Sequence, residues 1–325
     1  MRKALIALFL SAACILPSLA QKSLTLNDIN IRDPFIYTDT GSGTYYMYAS
    51  STVSKDGAQL GGVQVYKSRD LRNWDTPKQV LIVDKDNWIT GTVWAPEMHV
   101  YNGKYYLFAT MNTDLTWKGN KSGERFQWRG TQVFWSDSPE GPFHAFPSKE
   151  PMTPMDHMCL DGTLYVENGK PYMVFCHEWV ECQDGEMCLL EMKDDLSAPQ
   201  GNPFRLFCAS AAPWSTGPDT YVTDGCFLYT TKTGKLLMVW SSFMNGEYAI
   251  GVAESTTGKI KGPWKQQQEP IFNKNGGHGM LFKTLDGKLC LVIHAPNSPS
   301  GKERAHIFQI EDTGETLRLI SEMKF

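Results

Sequence analysis

Residues 94–110 read WAPEMHVYNGKYYLFAT, which is an apolar strand, an Asn-Gly turn and a second strand rich in aromatic residues. Asn-Gly between two such segments is a strong signal for a β-hairpin. Similar segments occur four more times: RDPFIY with TYYMYAS (32–37 and 44–50), LDGTLYVENGKPYMVFC (160–176), TDGCFLYTTKTGKLLMVW (223–240) and GHGMLFKTLDGKLCLVI (277–293). Five similar hairpins at intervals of roughly 40–65 residues predict a repeat architecture.

Each hairpin is followed by a third strand-like segment and by a weaker fourth. The third segments are GVQVYKS, GTQVFWS, EMCLLEM, EYAIGVA and HIFQI. Four antiparallel strands in each of five units predict an all-β, five-bladed β-propeller. A β-sandwich is the alternative, but it gives no reason for one polar position to recur in every unit. The fifth unit is complete through residue 322, so we expect no exchange of strands between the first and last blades.

Ionisable residues recur at one point of the repeat. Alignment on the turns brings together Asp33, Ala95, Asp161, Asp224 and His278. The first strand of a propeller blade lies nearest the axis, and the antiparallel second strand returns to the same face. We therefore expect three carboxyl groups and a histidine to meet at one end of the central channel. Asp-Pro and Asp-Gly are also ordinary turn signals, but their recurrence at one position favours a functional role.

The connections between second and third strands are expected to form the rim of the same funnel. They comprise residues 51–62, 112–130, 177–185, 242–246 and 295–304. The side chains that we expect to contact a ligand are Trp94, Glu97, Trp117, Trp128, Trp179 and His278. For Glu97 the alternative is a place in an interior hydrogen-bond network. Acidic groups at the bottom and aromatic groups at the rim predict a carbohydrate pocket.

Paired carboxyl groups are what the hydrolysis of a glycosidic bond requires. One carboxylate activates water, and one carboxylic acid protonates the leaving oxygen. Acidic groups crowded around one funnel repel each other, which raises the pKa of at least one of them and keeps it protonated near neutral pH. The repeat pattern therefore favours an enzyme. The alternative is a sugar-binding propeller without catalytic activity, which would have no need for Asp33 and Asp161.

An ordered set of short motifs resembles family 43 of the glycoside hydrolases. The motifs are Asp33-Pro34, WAPE (94–97), SPEGPF (138–143), Asp161-Gly162, Gly262-Pro263-Trp264 and Gly277-His278-Gly279. The resemblance implies a five-bladed propeller that hydrolyses furanosides and pyranosides of plant polysaccharides with inversion. It implies that Asp33 is the general base and that Asp161 tunes and orients the proton donor. It also implies a water-coordinated calcium ion beside His278 on the axis, and no organic cofactor.

The proton donor is where this chain departs from the family. The resemblance implies a Glu at the opening of blade four, where this chain has Asp224, whose side chain is one methylene shorter. Glu178 follows the second strand of blade three and is expected on the same face, close to Asp161. We interpret Glu178 as the donor and Asp224 as a group that binds a sugar hydroxyl or tunes the site. The reverse assignment stays open.

The leading functional hypothesis is an exo-acting α-L-arabinofuranosidase that removes terminal sugars from polysaccharide side chains. A single funnel without an appended domain favours the removal of terminal sugars. The alternatives within the family are a β-xylosidase, an endo-arabinanase, and a galactofuranosidase or galactosidase. One sequence does not distinguish them, because the shape of the pocket decides. The expected partner is an oligosaccharide or polysaccharide.

The N-terminus predicts export. Arg2 and Lys3 precede an apolar run (4–16) and a small-residue site ending at Ala20, which is the pattern of a secretory signal peptide. Residues 1–20 are therefore expected to be removed, and residues 21–325 to form one catalytic domain in the periplasm or outside the cell. The apolar run is short for a membrane span.

Composition narrows the choice of partner. The 31 basic and 35 acidic residues argue against a nucleic acid or an anionic membrane as the partner, and we expect a monomer. Seven cysteines follow the predicted leader, and the odd count leaves at least one unpaired within a chain. Most of them lie within strand-like segments, so buried free thiols are expected, with a Cys182–Cys188 disulfide as the alternative.

Overall fold

The computed structural model describes residues 23–88, 91–119 and 125–325. These residues form twenty β-strands in five antiparallel sheets of four strands each, and the strands of every sheet are neighbours in sequence order. The predicted five-bladed β-propeller is therefore confirmed. Among the described residues, no helix has the length and apolar character needed to cross a membrane. The predicted signal peptide (1–20) lies outside the described residues.

The strands of each blade are numbered in chain order. Blade one consists of β1 (Phe35–Asp39), β2 (Thr44–Lys55), β3 (Ala58–Ser68) and β4 (Lys78–Ile82). Blade two consists of β5 (Val93–Tyr101), β6 (Lys104–Gly119), β7 (Arg125–Ser136) and β8 (His144–Ala145). Blade three consists of β9 (Cys159–Glu167), β10 (Lys170–His177), β11 (Glu186–Met192) and β12 (Pro199–Cys208). Blade four consists of β13 (Asp224–Thr230), β14 (Leu236–Met244), β15 (Glu247–Ser255) and β16 (Trp264–Gln266). Blade five consists of β17 (Gly277–Lys283), β18 (Leu289–Ala295), β19 (Arg304–Asp312) and β20 (Leu317–Glu322).

Within the described residues, helical structure is limited to short connections. A single turn of α-helix, α1 (Trp179–Cys182), joins β10 to β11, and 3-10 turns occupy Leu26–Asp28 and Ala209–Ala211. The seven cysteines of the described residues are all free, and five of them are buried. The expected buried thiols are thus present, and the alternative Cys182–Cys188 disulfide is not formed.

The apolar faces of neighbouring blades pack against each other and form the core. The second and third strands supply most of its fully buried side chains, among them Met47 in β2, Leu107 in β6, Val174 in β10 and Trp240 in β14. Because each sheet is buried on both faces, its central strands are almost continuously apolar, as in LLMVW (236–240). This packing brings the five first strands together around the axis.

The ring closes without an exchange of strands, as expected. Blade five is built only from residues that follow one another in the chain. The segment before blade one instead makes hydrogen bonds to blade five. The amide of Ile31 donates to the carbonyl of Glu303 over 3.2 Å, and Arg304 Nε donates to the carbonyl of Asn27 over 2.7 Å. The amide and carbonyl groups of Leu24 pair with Trp74. Hydrogen bonds of this short segment therefore join the first and last blades.

A β-bulge interrupts the first strand of blades two to five at the same place. In blade two, Trp94 pairs with Thr110 and Glu97 pairs with Phe108, so two residues oppose one on the partner strand. A bulge of this kind re-aims the side chains next to it and often lies near a functional site. Here the bulge lies beside Trp94, Asp161, Asp224 and His278.

The predicted alignment of blade four with the other blades was wrong by one residue, as the bulges show. The equivalent residue has a positive φ in every blade: Asp33 (51°), Ala95 (41°), Asp161 (56°), Gly225 (38°) and His278 (50°). Gly225 and not Asp224 thus shares the repeat position, and Asp224 is equivalent to Trp94. The alignment failed because the turns differ in length: residues 168–169 join the paired strands in blade three, whereas residues 231–235 do so in blade four.

The predicted rim loops at 51–62 and 112–130 are largely strands. In blade two the hairpin continues beyond the sheet, with Asn112 paired to Arg129 and Thr116 paired to Gln127. In blade one, β2 and β3 extend to a tight turn at Asp56-Gly57. Polar residues occur among the apolar ones in these stretches, which is typical of strands exposed on one face and makes them resemble loops in the sequence.

Candidate active site

The starts of the first strands and the ends of the second strands surround a cavity of about 460 Å³. Seven of the residues singled out from the sequence line it: Asp33, Trp94, Asp161, Glu178, Trp179, Asp224 and His278. The other lining residues are Arg32, Ser50, Leu160, Tyr248 and Ser300. The four acidic side chains expected to be catalytic therefore meet in one cavity.

Asp33 is held as an anion by histidines. Its Oδ1 lies 3.0 Å from Nδ1 of His294 and 3.3 Å from Nδ1 of His278, and the Arg32 guanidinium is 3.9 Å away. Burial by itself would raise the pKa of Asp33, but His278, His294 and Arg32 together hold it well below its usual range. An ionised carboxylate at the bottom of the cavity has the properties of a general base.

Asp161 is buried next to the bulge of blade four. Its Oδ2 accepts a hydrogen bond from the amide of Gly225 over 3.1 Å, and its own amide donates to Thr110 Oγ1 over 2.8 Å. Burial and the negative charge of Asp33 raise the pKa of Asp161, while His278 and the Gly225 amide oppose the change. Asp161 is thus fixed from two neighbouring blades.

Asp224 is the acidic group whose pKa is raised to about 7. Burial is the largest cause, and the negative charge of Asp161 adds to it, whereas His278 and a hydrogen bond from Tyr248 act in the opposite direction. The Tyr248 hydroxyl donates to Asp224 Oδ2 over 2.9 Å. A carboxyl group with this pKa carries a proton for much of the time near neutral pH, which a general acid requires.

His278 lies between the acidic groups. Its Nδ1 is 3.3 Å from Asp33 Oδ1 and 3.7 Å from Asp161 Oδ2. Burial lowers the pKa of His278, whereas the charges of Asp33 and Asp161 raise it. The effect of the carboxylates is larger in sum, so the pKa lies above its usual value. The ring rests on Gly225: a Cβ atom there would lie 2.6 Å from Cγ of His278. Only glycine leaves room for the imidazole between the carboxylates.

Glu178 has a different environment from the other three acids. Both of its carboxylate oxygens lie 2.5 Å from Nη1 of Arg129, and both side chains are less than 10% exposed, at 9% for Glu178 and 6% for Arg129. The guanidinium also lies over the Trp94 ring, 4.5 Å from its centroid. Both oxygens of Glu178 are therefore occupied by a guanidinium that favours the carboxylate form. These contacts argue against Glu178 as the donor and favour Asp224.

The remaining predicted contact residues divide into two groups. Trp94, whose side chain is 40% exposed, and Trp179 form walls of the cavity. Glu97 does not line it: the residue is 5% exposed and its Oε2 lies 2.9 Å from Nε2 of His99, so it belongs to the interior network that was the alternative. Trp128 lies in β7 and is not among the lining residues, and the side chain of Trp117 lies outside the described residues.

Several residues of the site were not identified from the sequence. They are Arg32, Arg129, Tyr248 and His294. A signal for His294 was present, because a histidine lies next to the end of the apolar second strand of blade five, and such strands end on the funnel face. Arg129 and Tyr248 lie on third strands, and no sequence pattern assigns their side chains to the cavity.

The calcium ion expected beside His278 stays a prediction. Its implied ligands are waters, and the geometry at His278 offers Nδ1 to Asp33 and Asp161 rather than to a cation. Among the described residues, no group of three or more potential metal-ligating side chains includes His278. Calcium prefers six to eight oxygen ligands, and for a water-coordinated ion those oxygens come from solvent and not from these side chains. No catalytic step is therefore assigned to it.

The model of the family described as glycosyl hydrolases family 43 matches residues 28–313 of this chain. The chain belongs to this family. The match spans all five blades, and the family motifs that enter the cavity include Asp33-Pro34 and Asp161-Gly162.

Relatives within family 43 differ in activity. An endo-arabinase from Bacteroides thetaiotaomicron VPI-5482 superposes with a TM-score of 0.76 at 38% identity, covering 89% of this chain and 97% of that one. Alpha-L-arabinofuranosidase 43 of Humicola insolens is 24% identical over 312 residues, or 90% of this chain. A candidate β-xylosidase of Escherichia coli (strain K12) is 28% identical over 271 residues, or 76% of this chain. The chain spans 60% and 44% of the lengths of these two curated relatives.

Proposed function

We propose that the protein is an inverting glycoside hydrolase in which Asp33 is the general base and Asp224 is the general acid. The observation that carries the proposal is the opposite protonation preference of two carboxyl groups in one cavity. The pKa of Asp33 is well below its usual range, whereas that of Asp224 is raised to about 7. Two acidic groups with separated pKa values are the arrangement on which acid–base hydrolysis depends.

The reaction needs one water molecule and no covalent intermediate. Asp33 takes a proton from the water as its oxygen attacks the anomeric carbon. The bond to the leaving oxygen breaks as Asp224 gives that oxygen its proton. The products are a free sugar of inverted configuration and the shortened chain. Asp33 is then protonated and Asp224 ionised, and both are restored by exchange of protons with solvent.

Asp161 acts through Asp224 and through the backbone. Its negative charge is the second largest cause of the raised pKa of Asp224. Its carboxylate accepts from the amide of Gly225, the residue next to Asp224, over 3.1 Å. In this role Asp161 keeps the acid protonated and holds the start of β13 in place.

We further propose α-L-arabinofuranosyl groups as the substrate and exo action as the mode of cleavage. The relationship to an arabinofuranosidase and to an endo-arabinase supports arabinose-containing polymers as the substrate class. The cavity has Trp94 and Trp179 as aromatic walls, which suit the apolar face of a sugar ring. A cavity of about 460 Å³ between these two aromatic walls is the feature on which we base the proposal of exo action.

An endo-acting arabinanase is the second candidate. It is favoured by the solved endo-arabinase, which shares 38% of its residues with this chain and covers 97% of its own length in the superposition. Exo and endo action differ in their first products, because an exo enzyme releases monosaccharides and an endo enzyme releases oligosaccharides.

The test combines product analysis with one variant. The purified chain is incubated with linear arabinan, branched arabinan, xylan and a panel of nitrophenyl glycosides that includes the α-L-arabinofuranoside, the β-D-xyloside, the β-D-galactofuranoside and the β-D-galactopyranoside. Arabinose as the first product, lost in Asp33→Asn, would support the proposal. Early arabino-oligosaccharides would replace exo with endo action. Sugar binding without turnover, unchanged in Asp33→Asn, would overturn the hydrolase in favour of a binding protein.

Export is proposed together with this activity. The basic, apolar and small-residue segments of positions 1–20 fit a protein that meets polymers outside the cytoplasm. N-terminal sequencing of the protein secreted by its own host tests cleavage after Ala20.

A further inference from the structure

Two histidines and a glutamate meet beside the cavity at the rim of blade three. Nδ1 of His157 lies 3.2 Å from Oε1 of Glu181, and Nε2 of His177 lies 3.2 Å from Oε2 of the same carboxylate. One ligand atom from each of the three residues lies within 4.8 Å of the other two. Among residues 23–88, 91–119 and 125–325, this is the one group of three such side chains close enough to share a metal ion.

His177 is oriented as a metal ligand would be. Its Nδ1 lies 3.0 Å from Oε2 of Glu186, and since a carboxylate only accepts, Nδ1 carries the hydrogen. Nε2 then faces Oε2 of Glu181 at 3.2 Å, where it pairs with the carboxylate when protonated and can bind a metal ion through its lone pair when it is not. A carboxylate behind the far ring nitrogen is the usual support of a metal-bound histidine. Arg205 in turn fixes Glu186 through a 2.8 Å contact.

The Nε2 atom of His177 is buried and has no hydrogen-bond partner. It faces Glu181 Oε2 at 3.2 Å, but the geometry is not that of a hydrogen bond, and Oε2 already accepts from the amide of Met158 over 2.7 Å. Glu181 is thus the charged group that faces this buried nitrogen. A cation shared by the nitrogen and the carboxylate would satisfy both.

We propose that His157, His177 and Glu181 bind a divalent transition-metal ion of the zinc type. Two imidazole nitrogens and one carboxylate oxygen form a donor set that zinc prefers, whereas calcium and magnesium prefer oxygen alone. Ligand atoms about 3.3 Å apart are what tetrahedral coordination at about 2.0–2.1 Å requires. Each nitrogen lies 3.2 Å from an oxygen of Glu181, His157 from Oε1 and His177 from Oε2, so one ion can take all three groups if the carboxylate turns or binds through both oxygens. The fourth position is open to water, because the side chain of His157 is 45% exposed.

The site would join two segments that the chain brings together only by folding. His157 precedes β9, whereas His177 ends β10 and Glu181 lies in α1. The same short connection carries Glu178 and Trp179, which line the cavity. A bound metal would therefore hold this wall of the cavity in place, and we expect it to act as a clamp at the rim rather than in the reaction itself.

Metal content tests the proposal directly. The untagged chain is equilibrated with zinc, passed through gel filtration and analysed by elemental mass spectrometry, for the wild type and for His157→Gln, His177→Gln and Glu186→Gln. The control is His306→Gln, because Nδ1 of His306 also contacts a glutamate, Glu322 at 2.6 Å, but has no third ligand. Circular dichroism of each variant establishes that it is folded.

The wild type and His306→Gln are expected to retain about one zinc per chain, and His157→Gln at least tenfold less. Glu186→Gln should weaken zinc affinity by about 10–100-fold. Should His177→Gln fail to fold, the exposed His157 and the supporting Glu186 still decide the question. Retention of zinc by His157→Gln at the wild-type level would overturn the proposal, as would a wild type without stoichiometric zinc.

Two readouts distinguish a coordinated ion from one held nonspecifically. Cobalt substituted for zinc should give the visible bands of a four-coordinate site in the wild type and not in His157→Gln. Hydrogen exchange of the amides of residues 177–184 should slow on addition of zinc in the wild type alone. Equal exchange with and without zinc would contradict the proposed clamp.

Discussion

The hydroxyl group of Tyr248 lies 2.9 Å from Oδ2 of Asp224, in the cavity that also contains Asp33 and Asp161. Tyr248 donates this hydrogen bond and so favours the ionised form of Asp224, whereas burial and Asp161 favour the protonated form. The balance leaves the pKa of Asp224 at about 7. Tyr248 therefore helps to set the pH range in which the proposed acid keeps its proton.

The activity should fall as the pH rises through about 7, because Asp224 must be protonated and its pKa is raised to about 7. In Tyr248→Phe the alkaline limb should move to higher pH, since the lost hydrogen bond had lowered the pKa of Asp224. The measurement is kcat/KM against pH on arabinan. A limb that moves to lower pH in Tyr248→Phe would contradict the assignment of Asp224 as the acid.

Replacement of the proposed base should remove turnover and spare binding. In Asp33→Asn we expect kcat to fall by about 10²–10⁴ with little change in the affinity for oligosaccharide, measured by calorimetry. Asp39→Asn is the control, because Asp39 lies at the other end of β1 and accepts hydrogen bonds only from its own turn. An Asp33→Asn protein with more than a tenth of the wild-type kcat would remove Asp33 from the reaction.

The dependence on the leaving group separates the two candidates for the donor. Asp224→Asn should lower kcat/KM on arabinan by about 10²–10⁴ and much less on the nitrophenyl arabinofuranoside, whose leaving group needs no proton. Glu178→Gln should affect the two substrates by the same factor. The opposite pattern, in which Glu178→Gln alone spares the nitrophenyl substrate, would restore Glu178 as the donor.

The Glu178–Arg129 pair should matter for stability. Both side chains are buried, so Glu178→Ala leaves a guanidinium without its partner. We expect the free energy of unfolding to fall by about 3–5 kcal/mol, measured by denaturant titration. Arg318→Ala is the comparison, because Arg318 pairs with Glu311 on the surface, where an ion pair contributes about 0–1 kcal/mol. Equal losses of unfolding free energy in the two variants would show that the buried pair stabilises the protein no more than the surface pair does.

Gly225→Ala should disturb the site through His278. The new Cβ atom would lie 2.6 Å from Cγ of His278, and φ is 38° at this position. We expect a loss of about 1–2 kcal/mol of stability from the backbone and a large loss of activity from the displaced ring. Gly169→Ala is the control, since φ is 80° there with open space around the Cβ position. It should lose similar stability and keep its activity, and equal activity losses would contradict the argument.

The blades were predictable because hairpin turns are local. Asn102-Gly103 and Asn168-Gly169 both have two positive φ angles, the conformation that Asn-Gly favours in a tight hairpin. The strand limits were less predictable, as the extended hairpin of β6 and β7 illustrates, because a strand that leaves the sheet keeps the same alternating pattern. The register in blade four was wrong by one residue, since an alignment on turns does not detect a bulge.

Asp33 and Asp161 were found from their recurrence, Asp224 from a register wrong by one residue and Glu178 from its place after a second strand, but their protonation states were not found. Asp224 and Glu178 are both carboxyl groups near the funnel, and no sequence pattern distinguishes them. The distinction comes from Arg129 on β7, which contacts Glu178, and from Tyr248 on β15 and Asp161 on β9, which surround Asp224. These residues come from three different blades.

The sequence by itself determined the architecture and the chemical type of the site, because turns, strand periodicity and repeated acidic residues depend on residues that are close together in the sequence. Only the tertiary structure decided which carboxyl group carries the proton and which histidines hold Asp33 as an anion. A pKa depends on burial and on charges within a few ångströms. Those neighbours are brought together by closing the ring, as when His294 of blade five comes within 3.0 Å of Asp33 of blade one.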